Sequence, residues 1–438
     1  LFLDHGGLGY NKISYAQPEK FMFYEKTVLD NGITVITEHM DGVRSAALGF
    51  WVRVGARDEA PIEGGMSHFM EHMLFKGTTT RSALDISTAF DALGAEFNAF
   101  TSREYTCFYA RLIDERLKLG FEILADMLVN STFAHKDIVP EREVVLEEIA
   151  RSQDAPEDYV YDLFSELMFP QDALGRPVLG TPDTVSSFDT GEMIRYHDAH
   201  YTTGNITVVA CGSVEHAVVV ELAQRFLSGL PVGSRLERAL VEPQERTVLR
   251  CVKKDSEQAN IVLGAPTIVN DDPRRFVYSL LDIIIGGGMS SRLFQEIREK
   301  RGLVYSVYAS SQLYEGAGLF EMYAGTRPEN IAEVVKVATE QFSLAAQDGV
   351  TAGELARAKE LAAGSFVLGT ESTRTRMSRL GRLAALDLPI DSIDEIIEKY
   401  RAVTIDEVNE AARELFSQEM TLAVVSPYKQ EKIERMLR

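Results

Sequence analysis

The sequence predicts an α+β fold of two homologous domains, each a mostly antiparallel sheet with helices packed on it. Three observations carry this. Runs rich in β-branched and aromatic residues are followed by several helical patterns, this order recurs in the second half, and a similar glycine turn opens a helix in each half. In the first half, residues 33–36 (ITVI), 46–54 (AALGFWVRV) and 97–112 (FNAFTSREYTCFYARL) read as strands. Helical patterns near 64–76 and 82–93 lie between them, and others follow at 114–130, 140–152, 157–168 and 189–199. The half closes on a strand at 205–212 (NITVVACG). The second half opens on the strand 259–266 (ANIVLGAP), then a helix leading into the glycines at 286–288. Two strands and helices to about residue 416 follow, and MTLAVVSP closes the chain as a partner for NITVVACG. The clearest echo is GGMSHFMEH against GGMSSRLFQ at 287–295, which sets His68, Glu71 and His72 opposite Ser291, Phe294 and Gln295. The Gly-, Pro- and charge-rich stretch 229–246 reads as a linker between domains at 1–228 and 247–438.

Composition bounds the function. The 438 residues carry 45 Lys and Arg against 66 Asp and Glu, a formal net charge of −21. Such a balance repels phosphate backbones and anionic lipid heads, so nucleic acid and membranes are poor partners and basic or cationic peptides better ones. Cys107, Cys211 and Cys251 are odd in number and far apart, which argues against a disulfide framework and suits a reducing, cytoplasmic setting. No apolar run approaches the ~20 residues of a membrane helix.

The stretch GGMSHFMEHMLFKGT (64–78) holds the order His-x-x-Glu-His. Positions i and i+4 share a helix face, so His68 and His72 can aim ring nitrogens at one metal ion. Glu71 lies on nearly the same face, placed to accept a proton from a water held there. On its own the pattern also fits a helix with two histidines at its polar edge. The third ligand is sought in PEREVVLEEI (140–149), which reads as a helix opening on Pro140 with acids in its first turns. Glu141 and Glu148 fall two turns apart on one face, and Glu147 points about 100° away from Glu148. Glu143 and Glu147 read as carboxylates that only complement the helix dipole. Periodicity leaves the choice of third ligand open.

His-x-x-Glu-His followed by Glu-Arg-x-x-x-Leu-x-Glu, with 76 residues from His72 to Glu148, resembles the inverzincin metallopeptidases. These are the pitrilysin, insulin-degrading enzyme and mitochondrial processing peptidase group, and the chain is most like bacterial single-type processing-peptidase-like members. The likeness runs from LDNGITVITE through GAEFNAFTSREYTCFYA to REKRGLVYSVYA. Met70 stands where Leu is commoner, a volume-conserving change. The resemblance implies one Zn²⁺ per chain on His68, His72 and Glu148, Glu71 as general base, and Glu141 orienting a ligand. It implies that Arg298 and Tyr305 bind the substrate backbone and steady the tetrahedral oxyanion; Arg301 and Tyr308 share their spacing. It also implies that a peptide adds to the strand EFNAFTSREY, with Asn98, Ala99, Phe100 and Thr101 nearest the scissile bond.

The remaining candidates read as ordinary. HDAH (197–200) lacks an evident third ligand and reads as a helix end, and His5, His39, His135 and His216 are isolated. No Gly-Lys-Ser/Thr follows GGG at 286–288, so it is no phosphate loop. The expected function is that of a zinc metalloendopeptidase cutting short or unfolded peptides in a closed chamber. The expected assembly is a homodimer in which Arg298 and Tyr305 serve the partner's zinc, with a heterodimer as the variant. A specific presequence or precursor processing peptidase, or a non-catalytic scaffold, are the alternatives.

Overall fold

The computed structural model describes residues 23–241, 243 and 248–438. His5, the start of the expected first domain, and positions 242 and 244–246 of the expected linker lie outside the described residues. The first sheet holds β1 (Glu25–Val28), β2 (Thr34–His39), β3 (Ser45–Val52), β4 (Glu96–Thr101), β5 (Thr106–Ile113) and β6 (Ile206–Gly212). Its spatial order is β1-β2-β6-β3-β5-β4. The second holds β7 (Leu249–Lys253), β8 (Ala259–Pro266), β9 (Val304–Tyr314), β10 (Ala317–Thr326) and β11 (Thr421–Ser426), in the order β7-β11-β8-β10-β9. Leaving β1 aside, the orders superimpose. Each sheet has one parallel pair, β2 with β6 and β7 with β11, and is otherwise antiparallel. The chain is thus an α+β protein built of a repeated unit.

Local readings needed adjustment. The run 97–112 is not one strand but a hairpin, β4 and β5, because Ser102 turns the chain by accepting from the N–H groups of Glu104 and Tyr105. The helix expected at 140–152 runs His135–Asp154, so Pro140 lies inside it and not at its start. Tertiary packing of Ile138 extends the helix backward past the proline, at the loss of one backbone bond. MTLAVVSP and NITVVACG are equivalents across the repeat: β11 and β6 lie in different sheets.

The two units exchange helices. Pro156–Met168, from the first half, lays Val160, Leu163, Phe164 and Met168 against Val262, Leu319, Tyr323, Ala423 and Val425 of the second sheet. Thr373–Ala385, from the second half, lays Met377 and Leu380 against Trp51, Val209 and Cys211 of the first. Gly381 permits this approach: a Cβ there would sit 2.0 Å from the Trp51 indole. The three cysteines are free, and no described helix is long and apolar enough to cross a membrane.

Glu321 of β10 lies between Leu319 and Tyr323 on the face that the exchanged helix covers, 5% exposed. Burial raises its carboxyl to about 7, with Arg103 opposing. Burial likewise lifts Glu59 and Asp282 to about 7, against the hydrogen bonds that each accepts. A raised acid favours the fold while protonated. Its contribution is complete below the unfolded value, 4.5 for the glutamates and 3.8 for Asp282, and disappears as pH rises through about 7. Stability is therefore expected to fall between pH 5 and 8 in urea titrations. Glu321→Gln should flatten that slope and stabilise the protein at pH 8 by up to roughly 3 kcal/mol.

Candidate metal centre and active site

The helix Met66–Leu74 buries Phe69, Met70 and Met73 and turns His68, Glu71 and His72 to its half-buried side. Its start is held from outside the helix. Glu59 accepts from the N–H of Gly65 at 2.8 Å and of Ser67 at 2.7 Å. Gly65 has φ +92°, and a Cβ on it would meet the Leu179 carbonyl at 2.6 Å. Its left-handed backbone and this tight contact both call for glycine. Sequence reasoning passed over Glu59, because six residues and a turn separate it from the N–H groups it caps.

The longer helix His135–Asp154 packs Ile138, Glu141, Val145 and Ile149 inward, which brings Glu148, two turns from Glu141, to face His68 and His72. One oxygen of Glu148 lies 3.6 Å from His68 Nε2 and 3.4 Å from His72 Nε2. The three donor atoms all lie within 4.8 Å of one another. Glu143 and Glu147 are exposed. Glu141 is buried behind the group, accepts from His72 Nδ1 at 2.7 Å, and pairs with Lys76. That bond fixes the His72 tautomer and leaves Nε2 facing Glu148.

The donor set fits zinc. Two imidazole nitrogens and a carboxylate oxygen are the ligand types of three-ligand zinc sites with an open position. Burial, and to a lesser degree the nearby charge of His72, push His68 down to about 4, so its ring is neutral and free to ligate. Burial opposes charge on His72, but Glu141, Glu148 and Glu71 outweigh it and raise its pKa, the mark of a carboxylate-rich pocket that attracts a cation. Burial raises Glu71, while the Thr101 hydroxyl and His72 pull it back. Thr101 Oγ1 donates to Glu71 Oε2 at 2.6 Å.

β4 is the edge strand of its sheet and packs beside the Met66–Leu74 helix. Asn98 is exposed and folds its side chain onto its own strand, accepting from Ala99 N–H at 2.9 Å. Ala99 is buried, and Phe100 meets Trp51 edge-on at 5.7 Å. Arg298 and Tyr305 lie in the other half, and none of their contacts among the described residues reaches His68, Glu71, His72 or Glu148. Arg298 sits in a π-wound turn, Phe294–Glu299, with its guanidinium over the Phe294 ring at 4.7 Å and the Tyr305 ring at 5.3 Å. Tyr305 is the unpaired residue of a β-bulge: Ser306 faces Gly325, and Val304 faces Thr326. The bulge throws its ring outward, 78% exposed. The competing pair is occupied. Arg301 is bound to Glu296 at 2.7 Å, and Tyr308 accepts from Tyr161 at 2.7 Å. His197 donates to the Leu128 carbonyl of the helix Leu117–Asn130, as a structural histidine does.

Comparison with known proteins gives the family. Residues 34–182 match the family described as Insulinase (Peptidase family M16), and residues 187–361 match the Peptidase M16 inactive domain. An uncharacterized zinc protease of Streptomyces coelicolor is 41% identical over 420 residues, 94% of this chain and 91% of that protein. The chain belongs to peptidase family M16. A second relative, the uncharacterized zinc protease YmxG of Bacillus subtilis, is 38% identical over 91% of this chain and 97% of its own length. The fold is that of a Pseudomonas fluorescens M16 inactive-domain structure, with a TM-score of 0.86 and 20% identity over 93% of this chain and 98% of the other. A protease from Helicobacter pylori gives 0.87 and 20% over 92% and 99%. The M16 match contains His68, Glu71, His72 and Glu148, and the inactive-domain match contains Arg298 and Tyr305.

Proposed function

We propose that this M16 chain is a zinc metalloendopeptidase that cuts short or unfolded peptides. The observation that carries the reading is the convergence of His68 Nε2, His72 Nε2 and Glu148 from two helices, with Glu71 alongside. These three side chains would hold one zinc ion, with Glu141 orienting His72. When bound, zinc polarises the scissile carbonyl and acidifies water at its open position. Glu71 removes the proton from the attacking water and delivers it to the leaving amine. The free edge of β4, at Asn98, Ala99, Phe100 and Thr101, pairs with the peptide through main-chain hydrogen bonds, which are indifferent to sequence. Arg298 and Tyr305 bind the peptide backbone and steady the oxyanion. Their place in the other half, with Tyr305 exposed, favours service to the zinc site of a second copy in a homodimer that encloses the peptide. Three free thiols suit a cytoplasmic location.

Two measurements test this. Peptide mixtures analysed by mass spectrometry should be cut by zinc-loaded protein, spared after chelation, and cut again when zinc is restored. Mixing Glu71→Gln protein with Arg298→Ala protein should recover activity that neither has alone, since one mixed site then holds both Glu71 and the partner subunit's Arg298. No recovery, with subunit exchange demonstrated, would sink the homodimer and leave a pair acting within one chain or a heterodimer.

A further inference from the structure

We propose that Thr101 is a positioning residue for Glu71, a role distinct from lending its backbone to the peptide; this rests on the peptidase reading above. The Thr101 hydroxyl reaches Glu71 Oε2 at 2.6 Å, in the range of charge-assisted O–H···O⁻ bonds. Its other oxygen neighbours, the Ser67 carbonyl at 3.5 Å and Thr106 Oγ1 at 3.4 Å, are much farther, so the proton goes to Glu71. One carboxylate oxygen is thereby fixed, and the other is left to meet water.

The hydroxyl is well anchored. Thr101 ends β4 and pairs with Thr106 of β5, so its backbone is set by the sheet, and its β-branched side chain has few rotamers. Thr106 in turn donates to the Val54 carbonyl at 3.0 Å. The groups behind Glu71 do not compete for this oxygen as charges. Burial, reinforced by the charge of Glu71, raises both Tyr201 and Cys107, which stay protonated. The bond also joins the strand that would receive the peptide to the side chain that would move the proton. A shift of β4 on binding is transmitted to the carboxylate through one hydroxyl.

Thr101→Val keeps the shape and removes the donor, leaving a buried carboxylate oxygen unpaired. Turnover of a peptide substrate should fall roughly 10–100-fold, while KM and the zinc affinity, measured by chelator competition, stay within about twofold. Thr101→Ser, which retains the hydroxyl, should recover most of the rate. An unchanged kcat in Thr101→Val, or a Ser variant no better than Val, would overturn the proposal. A change confined to KM would do so too, by returning Thr101 to peptide binding alone. Failure of the underlying reading has a separate signature: zinc-loaded wild-type protein that cuts nothing.

Discussion

Glu71→Gln is expected to bind zinc as the wild type does, fold as the wild type does, and cut peptides about 10²–10⁴ times more slowly. Gln has the size of Glu and keeps an oxygen for the Thr101 hydroxyl, now at 2.6 Å from Oε2. The side chain is largely withdrawn from water, and burial already raises its carboxyl, so a neutral amide costs the fold nothing. The variant lacks only a group that can take up and release a proton. His68, His72 and Glu148 are untouched, which separates this loss from metal loss. Metal content by mass spectrometry, the thermal midpoint and cleavage rate should be read on the same sample. Unaltered cleavage with Gln in place would remove Glu71 from the chemistry and, with it, the reading built on this helix.

The site was legible in the sequence wherever it depended on spacing within one helix. His68 and His72 show themselves because four residues make about one turn, and Glu141 and Glu148 because seven make two. What periodicity left open was which carboxylate faces the histidines, since that depends on how the two helices pack. The structure divides the labour: Glu148 faces Nε2 of both rings, and Glu141 takes the far nitrogen of one. Contacts across elements were illegible. Nothing in EFNAFT says that Thr101 will meet Glu71, and nothing in PEDYVYDLF says that the apolar face of this helix covers the other half's sheet. An amphipathic pattern announces a buried face without naming its cover. The exposure of Tyr305 is hidden for a different reason: a bulge is a mismatch between two strands and has no signature in either alone. Nor does anything in the charge and glycines of the linker say that the Arg238 side chain within it is 3% exposed.

That arginine gives the largest stability effect to be expected. Its side chain is 3% exposed and grips Asp58 with two bonds, Nε to Oδ1 at 2.8 Å and Nη2 to Oδ2 at 2.7 Å. It also lies 3.3 Å from Glu315 of the second half, whose own N–H donates to Glu104 of the first at 2.9 Å. Arg57 completes the cluster, donating to Glu104 at 2.6 Å and to the Glu315 carbonyl at 2.7 Å. Both halves and the linker therefore meet on a few buried charges. Arg238→Ala leaves the Asp58 carboxylate, 5% exposed, without its main cation. Removing one partner of such a pair costs roughly 3–5 kcal/mol, because the other charge stays buried. Arg235→Ala breaks a pair with Asp387 that is 31% and 61% exposed, together with bonds to the Ala384 and Ala385 carbonyls, and should cost less, about 1–2 kcal/mol. Urea unfolding of the two variants side by side checks the contrast, and equal costs would mean that water reaches the cluster. The damage should extend to the metal site. Asp58 is the neighbour of Glu59, whose carboxylate holds the N–H groups of Gly65 and Ser67 at the start of the His68 helix. Releasing Asp58 loosens that turn, so zinc affinity should fall in Arg238→Ala and stay unchanged in Arg235→Ala.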